Sequence, residues 1–370
     1  MAAGSTTGNI FKITTWGESH GKAIGVVVDG CPAGLPLCEE DIQVFLDRRK
    51  PGQSKFTTQR KEEDMVEILS GVFEGKTTGT PISMMIRNKD QRSKDYGNIA
   101  EIYRPGHADY TFDEKFGFRD YRGGGRSSAR ETAARVAAGA VAMKVLKELG
   151  IDVFAYTKSI GNIVCKEGAF DRDYIKENHL FMPDKDAVIK AEEYLNEMME
   201  RQDSSGGVVE CQIHGVPTGI GEPVFEKLSA RLAGSVSSIG AVKGFEIGEG
   251  FHASTMNGSV NNDTFYYDEE GHLKKETNHA GGILGGMSDG SPIVFRAAFK
   301  PTPSIGSVQK TVNKNGENIE TVIKGRHDPI VVPRAVVVVE AMAAITVLDL
   351  LLTSMTSRID LIKSFFANKR

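Results

Sequence analysis

Two long stretches of the sequence are apolar around most of the circumference of the helices they would form, and they constrain the fold more than any other feature. They cover residues 129–149 and 335–352. A helix of this kind is stable in water only when other elements cover all of its faces. The second stretch contains Glu340 and Asp349 and is too short for a comfortable membrane span. We therefore predict two buried helices and no membrane association.

The predicted strands are short and bounded by turn residues, which is typical of antiparallel sheets. Residues 9–16 and 25–29 are predicted to be the first two strands, and further alternating segments flank the glycines of residues 71–79 in the manner of paired strands. A helical layer between two sheets would bury both apolar helices and one face of each sheet. The predicted fold class is therefore α+β, with a helical layer sandwiched between two mainly antiparallel β-sheets.

Three features of the first half of the chain return in the same order in the second half. A Gly-x-Pro-x-Gly turn comes first, a glycine-rich hairpin pattern follows, and a basic motif with histidine then precedes an apolar helix. Chance agreement between glycine turns is the alternative, but the shared order argues against it. We predict one domain, residues 1–370, built from two duplicated halves at roughly 10–150 and 205–352. The matching segments are 30–35 with 215–220, 71–82 with 282–293, and 104–107 with 325–329.

Six arginines are concentrated in one segment of a chain that is acidic overall. Lys and Arg number 45 against 49 Asp and Glu, so the cluster is local and predicts no general nucleic-acid surface. The glycines of residues 123–125 precede Ser128 and Glu131, whose spacing predicts a capping box and a helix start at Ser128. The first N–H groups of that helix would bind an anion such as phosphate. A capped surface helix with solvated arginines is the alternative. The arginines are Arg104, Arg119, Arg122, Arg126, Arg130 and Arg135.

Histidines in glycine-rich loops are the candidate acids and bases. His20, His107 and His327 each lie beside serine, arginine or aspartate, and an ordinary pKa near neutrality suits them to proton donation. The sequence lacks the dinucleotide fingerprint, the phosphate loop and the His-Glu-x-x-His motif. No group of His, Cys and acidic residues has metal-ligand spacing, and we predict no metal.

Two further features concern order and compartment. The basic loop at residues 48–61 has no apolar period and is predicted to be mobile. The four cysteines form no Cys-x-x-Cys pair, and residues 1–9 contain no apolar signal core. We therefore predict a reduced, cytoplasmic protein.

Seven motifs, spread over almost the whole chain, together resemble the chorismate synthase family. The similarity runs from about residue 9 to the end of the last apolar helix, and the length and order of the motifs make it specific. The motifs are Gly-Glu-Ser-His-Gly (17–21), Asp-Arg-Arg-Lys-Pro-Gly (47–52), Thr-Thr-Gln-Arg (57–60), Arg-Pro-Gly-His-Ala-Asp (104–109), Tyr-Arg-Gly-Gly-Gly-Arg-Ser-Ser-Ala-Arg-Glu-Thr (121–132), Asn-His-Ala-Gly-Gly-Ile (278–283) and Gly-Arg-His-Asp-Pro (325–329).

The resemblance implies a lyase that catalyses the last step of the shikimate pathway. In that step 5-enolpyruvylshikimate 3-phosphate loses phosphate and a ring proton by 1,4-elimination and becomes chorismate. Reduced FMN (FMNH2) is implied as a cofactor that undergoes no net oxidation, and a homotetramer is implied as the assembly. The sequence leaves open whether the protein reduces its own flavin with NADPH. We see no segment that resembles a dedicated reductase, which favours a separate flavin reductase as partner.

The same resemblance assigns roles to individual residues. His20 would protonate the departing phosphate, His107 would protonate the reduced flavin, and Asp328 would help to take up the ring proton. The implied substrate contacts are Ser19, Arg49, Arg104, Arg130 and Arg326. The implied flavin contacts are Arg126, Ser127, Ser128, Gly240, Ala241, Gly285, Lys300, Pro301, Thr302, Pro303, Ser304 and Arg326. The implied NADP contacts are Arg49 and Lys55.

Two other functions remain open at this point. A flavoenzyme that performs a net oxidation of a phosphorylated acid is the nearer alternative. An RNA-binding module that binds RNA with its basic loops is the more distant alternative. The acidic total charge argues against it, and so does the lack of aromatic residues interleaved with the basic residues of 48–61.

Overall fold

A computed structural model describes residues 4–57, 62–89, 100–323 and 328–367 of the chain. The strands are β1 (Thr6–Thr7), β2 (Lys12–Gly17), β3 (Ala23–Asp29), β4 (Val66–Ile68), β5 (Val72–Phe73), β6 (Lys76–Thr77), β7 (Ile82–Arg87), β8 (Asp152–Ile160), β9 (Ile163–Val164), β10 (Gly207–His214), β11 (Val242–Ile247), β12 (Phe265–Tyr267), β13 (Leu273–Lys275), β14 (Ile283–Leu284), β15 (Met287–Ser288), β16 (Ile293–Phe299), β17 (Gln309–Val312) and β18 (Asn318–Thr321). The α-helices are α1 (Glu39–Arg49), α2 (Asp109–Phe116), α3 (Thr132–Glu148), α4 (Lys185–Glu200), α5 (Leu228–Ser237), α6 (Gly258–Asn261), α7 (Val332–Ser354) and α8 (Ile359–Ala367).

Two five-stranded antiparallel sheets form the outer layers. Their strand orders are β1-β2-β3-β7-β4 and β9-β8-β10-β16-β11. Side chains alternate between buried and half-buried positions along β7 and β16, because successive residues of a strand point to opposite faces. Each sheet therefore has one face in the core, and the prediction of mainly antiparallel sheets is confirmed.

Helices fill the space between the two sheets. α3 packs against β2, β3 and β7 of the first sheet, whereas α7 packs against β8 and β10 of the second. α3 and α7 also pack against each other, and a Cβ built at Gly139 would overlap Ala341 of the facing helix. Since side chains of both helices are buried almost throughout, the predicted helical layer is confirmed, and with it the α+β class.

The charged residues of α7 are paired inside the protein. Glu340 accepts hydrogen bonds from Arg48 Nη1 at 2.6 Å and from the backbone N–H of Ala155 at 2.9 Å. Asp349 accepts the backbone N–H of Ile10 at 2.7 Å and an N–H of Arg231 at 3.2 Å. α7 is long and apolar enough to cross a membrane by length and composition, yet 89% of its most apolar window is buried inside the protein. This supports the interpretation of α7 as a core helix.

The predicted start of the first apolar helix is confirmed in part. Ser128 caps a short 3-10 turn, Ala129–Glu131, by accepting the N–H of Arg130 at 3.4 Å, and α3 begins only at Thr132. Glu131 pairs with Arg135 at 2.9 Å instead of closing a capping box. An arginine one helical turn later competes for this carboxylate, and an ion pair at that spacing is favourable.

The basic loop after α1 has an apolar anchor that its sequence pattern does not reveal. Phe56 is fully buried and stacks on the ring of His179, with ring centroids 5.7 Å apart. Arg49 still belongs to α1 and is also buried. Residues 48 and 49 are therefore helical and Phe56 fixes one point of the loop, while the predicted mobility of the rest stays a prediction. Residues 58–61 lie outside the described part.

The glycine turns of the two halves are closed by the same hydrogen bonds. In the first half, Thr77 donates its hydroxyl to Pro32 O at 2.6 Å and accepts the N–H of Leu35 at 3.0 Å. The equivalent bonds in the second half, at 2.6 and 2.9 Å, join Ser288 to Pro217 and Ile220.

Candidate active site

His20 lies in the loop between β2 and β3, and its ring is held by a neighbouring hydroxyl. Ser19 Oγ donates to the carbonyl oxygen of Gly123 at 3.0 Å and lies 3.1 Å from His20 Nδ1. Because the one hydroxyl proton is used on Gly123, Nδ1 must donate to Oγ and therefore carries a proton. Nε2 is then the nitrogen through which His20 can give or take a proton. Both side chains are buried.

The glycine turn at residues 123–125 packs directly against this histidine ring. A Cβ built at Gly123 would overlap His20 Cε1 and Nδ1, and its φ of +64° lies in the left-handed region. Only glycine satisfies both conditions without strain. The backbone N–H groups of Ser127, Ser128 and Arg130 donate to acceptors within the turn. These three N–H groups are therefore satisfied within the turn, and anion binding at this helix start stays a prediction.

Arg49 and Arg130 meet at the buried carboxylate of Asp64. Oδ2 of Asp64 accepts Nε of Arg49 at 3.1 Å and also its Nη2, while Oδ1 accepts Nη1 of Arg130. Although burial acts in the opposite direction, the two guanidinium groups lower the pKa of Asp64. Asn88 Oδ1 accepts Arg130 Nε at 2.6 Å, and Glu62 lies 3.5 Å from Arg130 Nη2.

The predicted base Asp328 is connected to this cluster through Arg334, in the first turn of α7. Arg334 Nη1 donates to Asp328 Oδ2 at 3.2 Å, and its Nε donates to the backbone oxygen of Arg49 at 3.1 Å. Thr302 donates its hydroxyl to the backbone oxygen of Asp328. Asp328 is therefore held between the arginine cluster and the segment 300–304.

His107 is bonded through both ring nitrogens. Nδ1 lies 3.1 Å from Pro105 O, and Nε2 lies 3.0 Å from Ser304 Oγ. A carbonyl oxygen can only accept, so Nδ1 carries the proton of the neutral ring. Burial and the charges of Arg104 and Lys300 lower the pKa of His107 to about 4. The neutral ring is thus the form present near pH 7 in the free protein.

The other predicted arginines are also held by protein acceptors. Arg104 forms a two-point contact with Asp109, from Nε at 2.7 Å and from Nη2 at 2.8 Å. Arg126 donates from Nη1 to Gly17 O at 3.0 Å and from Nη2 to Thr15 Oγ1 at 2.7 Å. Each guanidinium group is therefore fixed in orientation by the protein. Arg326 and His327 lie outside the described residues.

The predicted flavin contacts fall into separate places. Lys300 donates its N–H to Ala241 O at 2.9 Å and its ammonium to Gly106 O at 2.8 Å, so residues 240–241 and 300–304 lie beside the His107 loop. Ser127 and Ser128 lie in the turn next to Arg126. Gly285 is apart from both groups.

Gly285 belongs to the β14-β15 hairpin, at the other end of β16 from Lys300. The neighbouring Gly286 accepts the N–H of Leu228, the first residue of α5, at 2.8 Å, whereas residues 240–241 follow the end of that helix. β16 has seven residues and spans about 20 Å at the usual rise per residue. Gly285 lines a cavity of about 550 Å³ together with Ile247 and Lys227.

The two predicted NADP contacts differ in accessibility. Arg49 is only 2% exposed and is engaged by Asp64. Lys55 is exposed, and its ammonium lies 4.9 Å from the ring centroid of Phe56. Lys55 is therefore open to solvent, whereas Arg49 belongs to the buried cluster around Asp64.

Cations are crowded in this region. Burial, followed by the neighbouring charges of Arg334 and Arg130, lowers the pKa of Arg49, although Asp64 acts in the opposite direction. Burial and the charge of Lys243 lower the pKa of Lys300. Burial is the larger cause of both shifts, and the additional effect of neighbouring cations shows that positive charges face one another. An anion placed among them would be stabilised.

The acidic and amide partners of the arginines were missed by sequence reasoning. Asp109 stands at the end of the quoted Arg-Pro-Gly-His-Ala-Asp motif, and Asp64 closes the acidic run Glu62-Glu63-Asp64 directly after the basic loop. At both places basic residues are followed by acidic ones, and this pattern could have indicated that the acidic residues pair with the arginines. Asn88 and Arg334 gave no comparable signal.

Comparisons with known proteins agree with the motifs over the whole chain. The family model described as "Chorismate synthase" matches residues 11–352. A protein named "Chorismate synthase" from Agathobacter rectalis is 67% identical over 364 residues, which are 98% of this chain and 99% of that protein. One of the same name from Cytophaga hutchinsonii is 54% identical over 358 residues, 96% and 99% of the two chains. A solved structure titled "Crystal Structure of Chorismate Synthase" is similar with a TM-score of 0.74 and 33% identity, and covers 98% of both chains.

Proposed function

The chain belongs to the chorismate synthase family, and we propose that it converts 5-enolpyruvylshikimate 3-phosphate to chorismate and phosphate with reduced FMN and no net oxidation. The family consists of lyases that form chorismate, the product named in every similar protein cited above. The substrate carries one phosphate and two carboxylates, and FMN adds a further phosphate. The reaction therefore needs several fixed cations in one place.

The crowding of cations around Asp64, Asp109 and Asp328 is the observation that carries this proposal. Burial lowers the pKa of Arg49, and the nearby charges of Arg334 and Arg130 lower it further. A polyanion bound there would offset these repulsions and strengthen each charged hydrogen bond. Arg104 and Arg326 are the other proposed substrate contacts. Ser19 is bonded to His20 and Gly123, which supports an orienting role beside any contact with substrate.

His20 is the proposed acid for the departing phosphate. Its Nδ1 proton is donated to Ser19, so the proton for the phosphate must come from Nε2 of the doubly protonated ring. After the transfer the neutral ring keeps its Nδ1 proton on Ser19, which fixes the direction of transfer. Asp328, held by Arg334 at 3.2 Å, is the proposed receiver of the ring proton, and its carboxylate has the fixed orientation that such a role requires.

The donor set of the His107 region fits a reduced, anionic flavin. Bound FMNH2 would supply transient electron donation that helps to expel phosphate. Lys300 and the hydroxyls of Thr302 and Ser304 lie beside His107. Burial is the main reason why the pKa values of Lys300 and His107 are lowered, and neighbouring cations lower both pKa values further. His107 would deliver a proton to the flavin. The other proposed contacts are Arg126, Ser127, Ser128, Gly240, Ala241, Gly285, Pro301, Pro303 and Arg326.

Assembly as a homotetramer is part of the proposal, and the position of Gly285 supports it. Because Gly285 lies at the far end of β16 from Lys300, a single chain does not bring it to the His107 region. A second copy could supply it.

We further propose a cytoplasmic location, and NADPH as a reductant that acts through a separate flavin reductase. Arg49 and Lys55 are the proposed NADP contacts.

Internal duplication is also proposed, with both halves in one domain. It is supported by the strand order β3-β7-β4 of the first sheet, which corresponds to β10-β16-β11 of the second, and by the matching hydrogen bonds of Thr77 and Ser288. In each half an apolar helix covers the inner face of its own sheet.

Anaerobic incubation with dithionite-reduced FMN and 5-enolpyruvylshikimate 3-phosphate tests the function. Chorismate absorbance should rise together with released phosphate. Oxidised flavin that appears one-for-one with product would instead identify an oxidoreductase. Salt-dependent retention of RNA without flavin binding would identify a nucleic-acid module.

A further inference from the structure

The carboxylate of Asp64 is the common acceptor of two arginines from distant parts of the chain. Arg49 is the last residue of α1, and Arg130 lies in the 3-10 turn before α3. Oδ2 accepts Nε and Nη2 of Arg49, and Oδ1 accepts Nη1 of Arg130. All three residues are at most 5% exposed. One carboxylate group therefore determines how far apart the two guanidinium groups lie and how their planes are oriented.

The backbone of Asp64 is held in a conformation that is uncommon for residues with a side chain. Its φ of +52° lies in the left-handed region, which aspartate tolerates better than most residues but which remains unfavourable. Such a conformation persists only where the surroundings determine it. Here it accompanies a carboxylate in contact with both arginines.

Asp64 also counteracts repulsion within the cluster. The guanidinium groups of Arg130 and Arg334 both act on Arg49, and Arg334 is fixed there by its 3.1 Å bond to the backbone oxygen of Arg49. Without Asp64, Arg49 and Arg130 would move apart or take other acceptors, since like charges at close range in a buried site repel strongly.

The bonds to Asp64 leave defined donors for a ligand. A guanidinium group has N–H bonds on three nitrogens, and Asp64 takes Nε and Nη2 of Arg49. Nη1 of Arg49 is therefore directed elsewhere. Arg130 uses Nε on Asn88 and one N–H of Nη1 on Asp64, and its Nη2 lies 3.4 Å from Arg87 O and 3.5 Å from Glu62. Among the described residues, the second N–H of Nη1 has no acceptor. Both remaining groups belong to guanidinium groups whose positions Asp64 sets.

We infer that Asp64 is a positioning residue for the substrate: it fixes the spacing of Arg49 and Arg130 so that their remaining N–H groups bind one anionic group of the substrate together. Asp64 itself makes no contact with the reacting atoms. The inference rests on the proposed function, because it takes the substrate to be the phosphorylated, dicarboxylic 5-enolpyruvylshikimate 3-phosphate. It assigns to a carboxylate the role of preparing a site for an anion.

Two variants of Asp64 and one matched control test the inference. Asp64→Asn removes the charge, whereas Asp64→Glu keeps the charge and displaces the carboxylate by one methylene group. Glu210→Gln is the control, because Glu210 is a buried carboxylate on the other sheet that accepts the hydroxyl of Tyr156 and lies 3.5 Å from Arg296. For each protein we would measure Tm, the Kd of 5-enolpyruvylshikimate 3-phosphate by calorimetry, and KM and kcat with reduced FMN.

The expected result is a selective loss of substrate affinity. Asp64→Asn should raise Kd and KM by at least about 30-fold and change kcat by less than about 3-fold, the pattern of lost ground-state binding. Asp64→Glu, which keeps the ion pairs and should fold, should raise KM by at least about 10-fold. Glu210→Gln should lower Tm about as much as the Asp64 variants do, but it should leave KM unchanged.

Three results would overturn the inference. An unchanged KM in Asp64→Glu would show that only the charge of Asp64 matters, and an unchanged Kd in Asp64→Asn would show that it does not act on substrate. Equal losses of Kd in Asp64→Asn and Glu210→Gln would show a purely structural role. If the wild-type protein binds no 5-enolpyruvylshikimate 3-phosphate, the proposed function fails together with the inference, whereas binding by the wild type limits the failure to Asp64.

Discussion

At the scale of single residues, the arginines of the site are prepared by acidic partners before any ligand arrives. Asp64 holds Arg49 and Arg130, and Asp109 holds Arg104 through two hydrogen bonds of 2.7 and 2.8 Å. An arginine fixed in this way loses less conformational freedom when it binds an anion. A substrate would therefore bind to the N–H groups that the acidic partners leave unused, and not to both arms of a guanidinium group.

Replacement of Arg130 by alanine should weaken substrate binding more than flavin binding. A charged hydrogen bond to a buried anion, once lost, costs about 2–5 kcal/mol, which is roughly 30-fold or more in affinity. KM for 5-enolpyruvylshikimate 3-phosphate and the Kd of FMN would be measured in parallel. Arg172→Ala is the control, since Arg172 is half-exposed and pairs with Asp152 on the second sheet. A normal KM in Arg130→Ala would contradict the assignment.

The charge state of His107 should depend on the bound anion. Its pKa of about 4 in the free protein results from burial and from Arg104 and Lys300, and an anion beside these cations should raise it. Binding of FMN should therefore take up a proton between pH 4 and the higher pKa of the complex, and affinity should increase as pH falls through that window. Because the pKa in the folded protein lies below the unfolded value of about 6.5, the linked stability is present above that value and is lost toward pH 4.

Calorimetry of FMN binding in two buffers with different ionisation enthalpies would measure this proton uptake. NMR titration of the His107 ring would give the pKa directly in the free and bound states. A variant His107→Gln should show a smaller uptake than the wild type. Proton release on binding, or a His107 pKa near 6.5 without ligand, would contradict the prediction.

At the scale of elements, the two apolar helices approach so closely that one glycine is required between them. The Cβ of any other residue at position 139 of α3 would overlap Ala341 of α7. The interior is densely packed, so neither helix can yield without losing contacts along its length. This packing joins the two sheets and thereby holds the loops of the site.

Gly139→Ala should destabilise the protein by about 1–3 kcal/mol, the usual effect of overpacking a dense core. Chemical denaturation would measure the change in the free energy of unfolding. Gly234→Ala is the control, because Gly234 lies in α5 with nothing within 4 Å of a Cβ built there. That substitution should stabilise the protein by about 0.5–1 kcal/mol. Equal effects of the two changes would mean that α3 and α7 are packed less tightly than described.

At the scale of the whole molecule, the site draws its residues from loops at the ends of both sheets. His20 comes from the β2-β3 loop, Asp328 precedes α7, and Lys300 follows β16. Arg334 and Asp64 connect these loops through hydrogen bonds. A ligand that binds the arginines therefore also acts on the segment that contains Asp328, the proposed base. The proposed tetramer would add Gly285 from a second copy.

One equivalent of reduced flavin per chain should support many turnovers under anaerobic conditions. Elimination of phosphate and a proton changes no overall oxidation state, so oxidised flavin should not accumulate with product. His107→Ala should slow turnover by about 10²–10⁴-fold, the usual effect of a lost general acid or base, while FMN still binds. Flavin absorbance and chorismate absorbance would be followed together, and stoichiometric flavin oxidation would contradict the lyase mechanism.

The sequence alone determined the kinds of elements and the chemistry available to the site. Local patterns sufficed for the two apolar helices and for the short turn-linked strands, because apolar periodicity reports directly which faces must be buried. The family motifs named His20, His107 and Asp328 without any coordinates. Helix boundaries were predicted less well: Ser128 is a cap, as the sequence predicts, but it caps a 3-10 turn that precedes α3, and Glu131 pairs with Arg135 instead of closing the capping box.

Only the tertiary structure decided which residues meet. Asp64 joins Arg49 to Arg130, Arg334 joins Asp328 to Arg49, and Phe56 anchors a loop that looks purely polar in sequence. These contacts connect segments far apart in the chain, and no local period encodes which of several acidic residues a given arginine will reach. The lowered pKa of His107 has the same origin. Burial and the positions of surrounding charges are properties of the assembled fold, since both depend on distances that the linear order of residues leaves open.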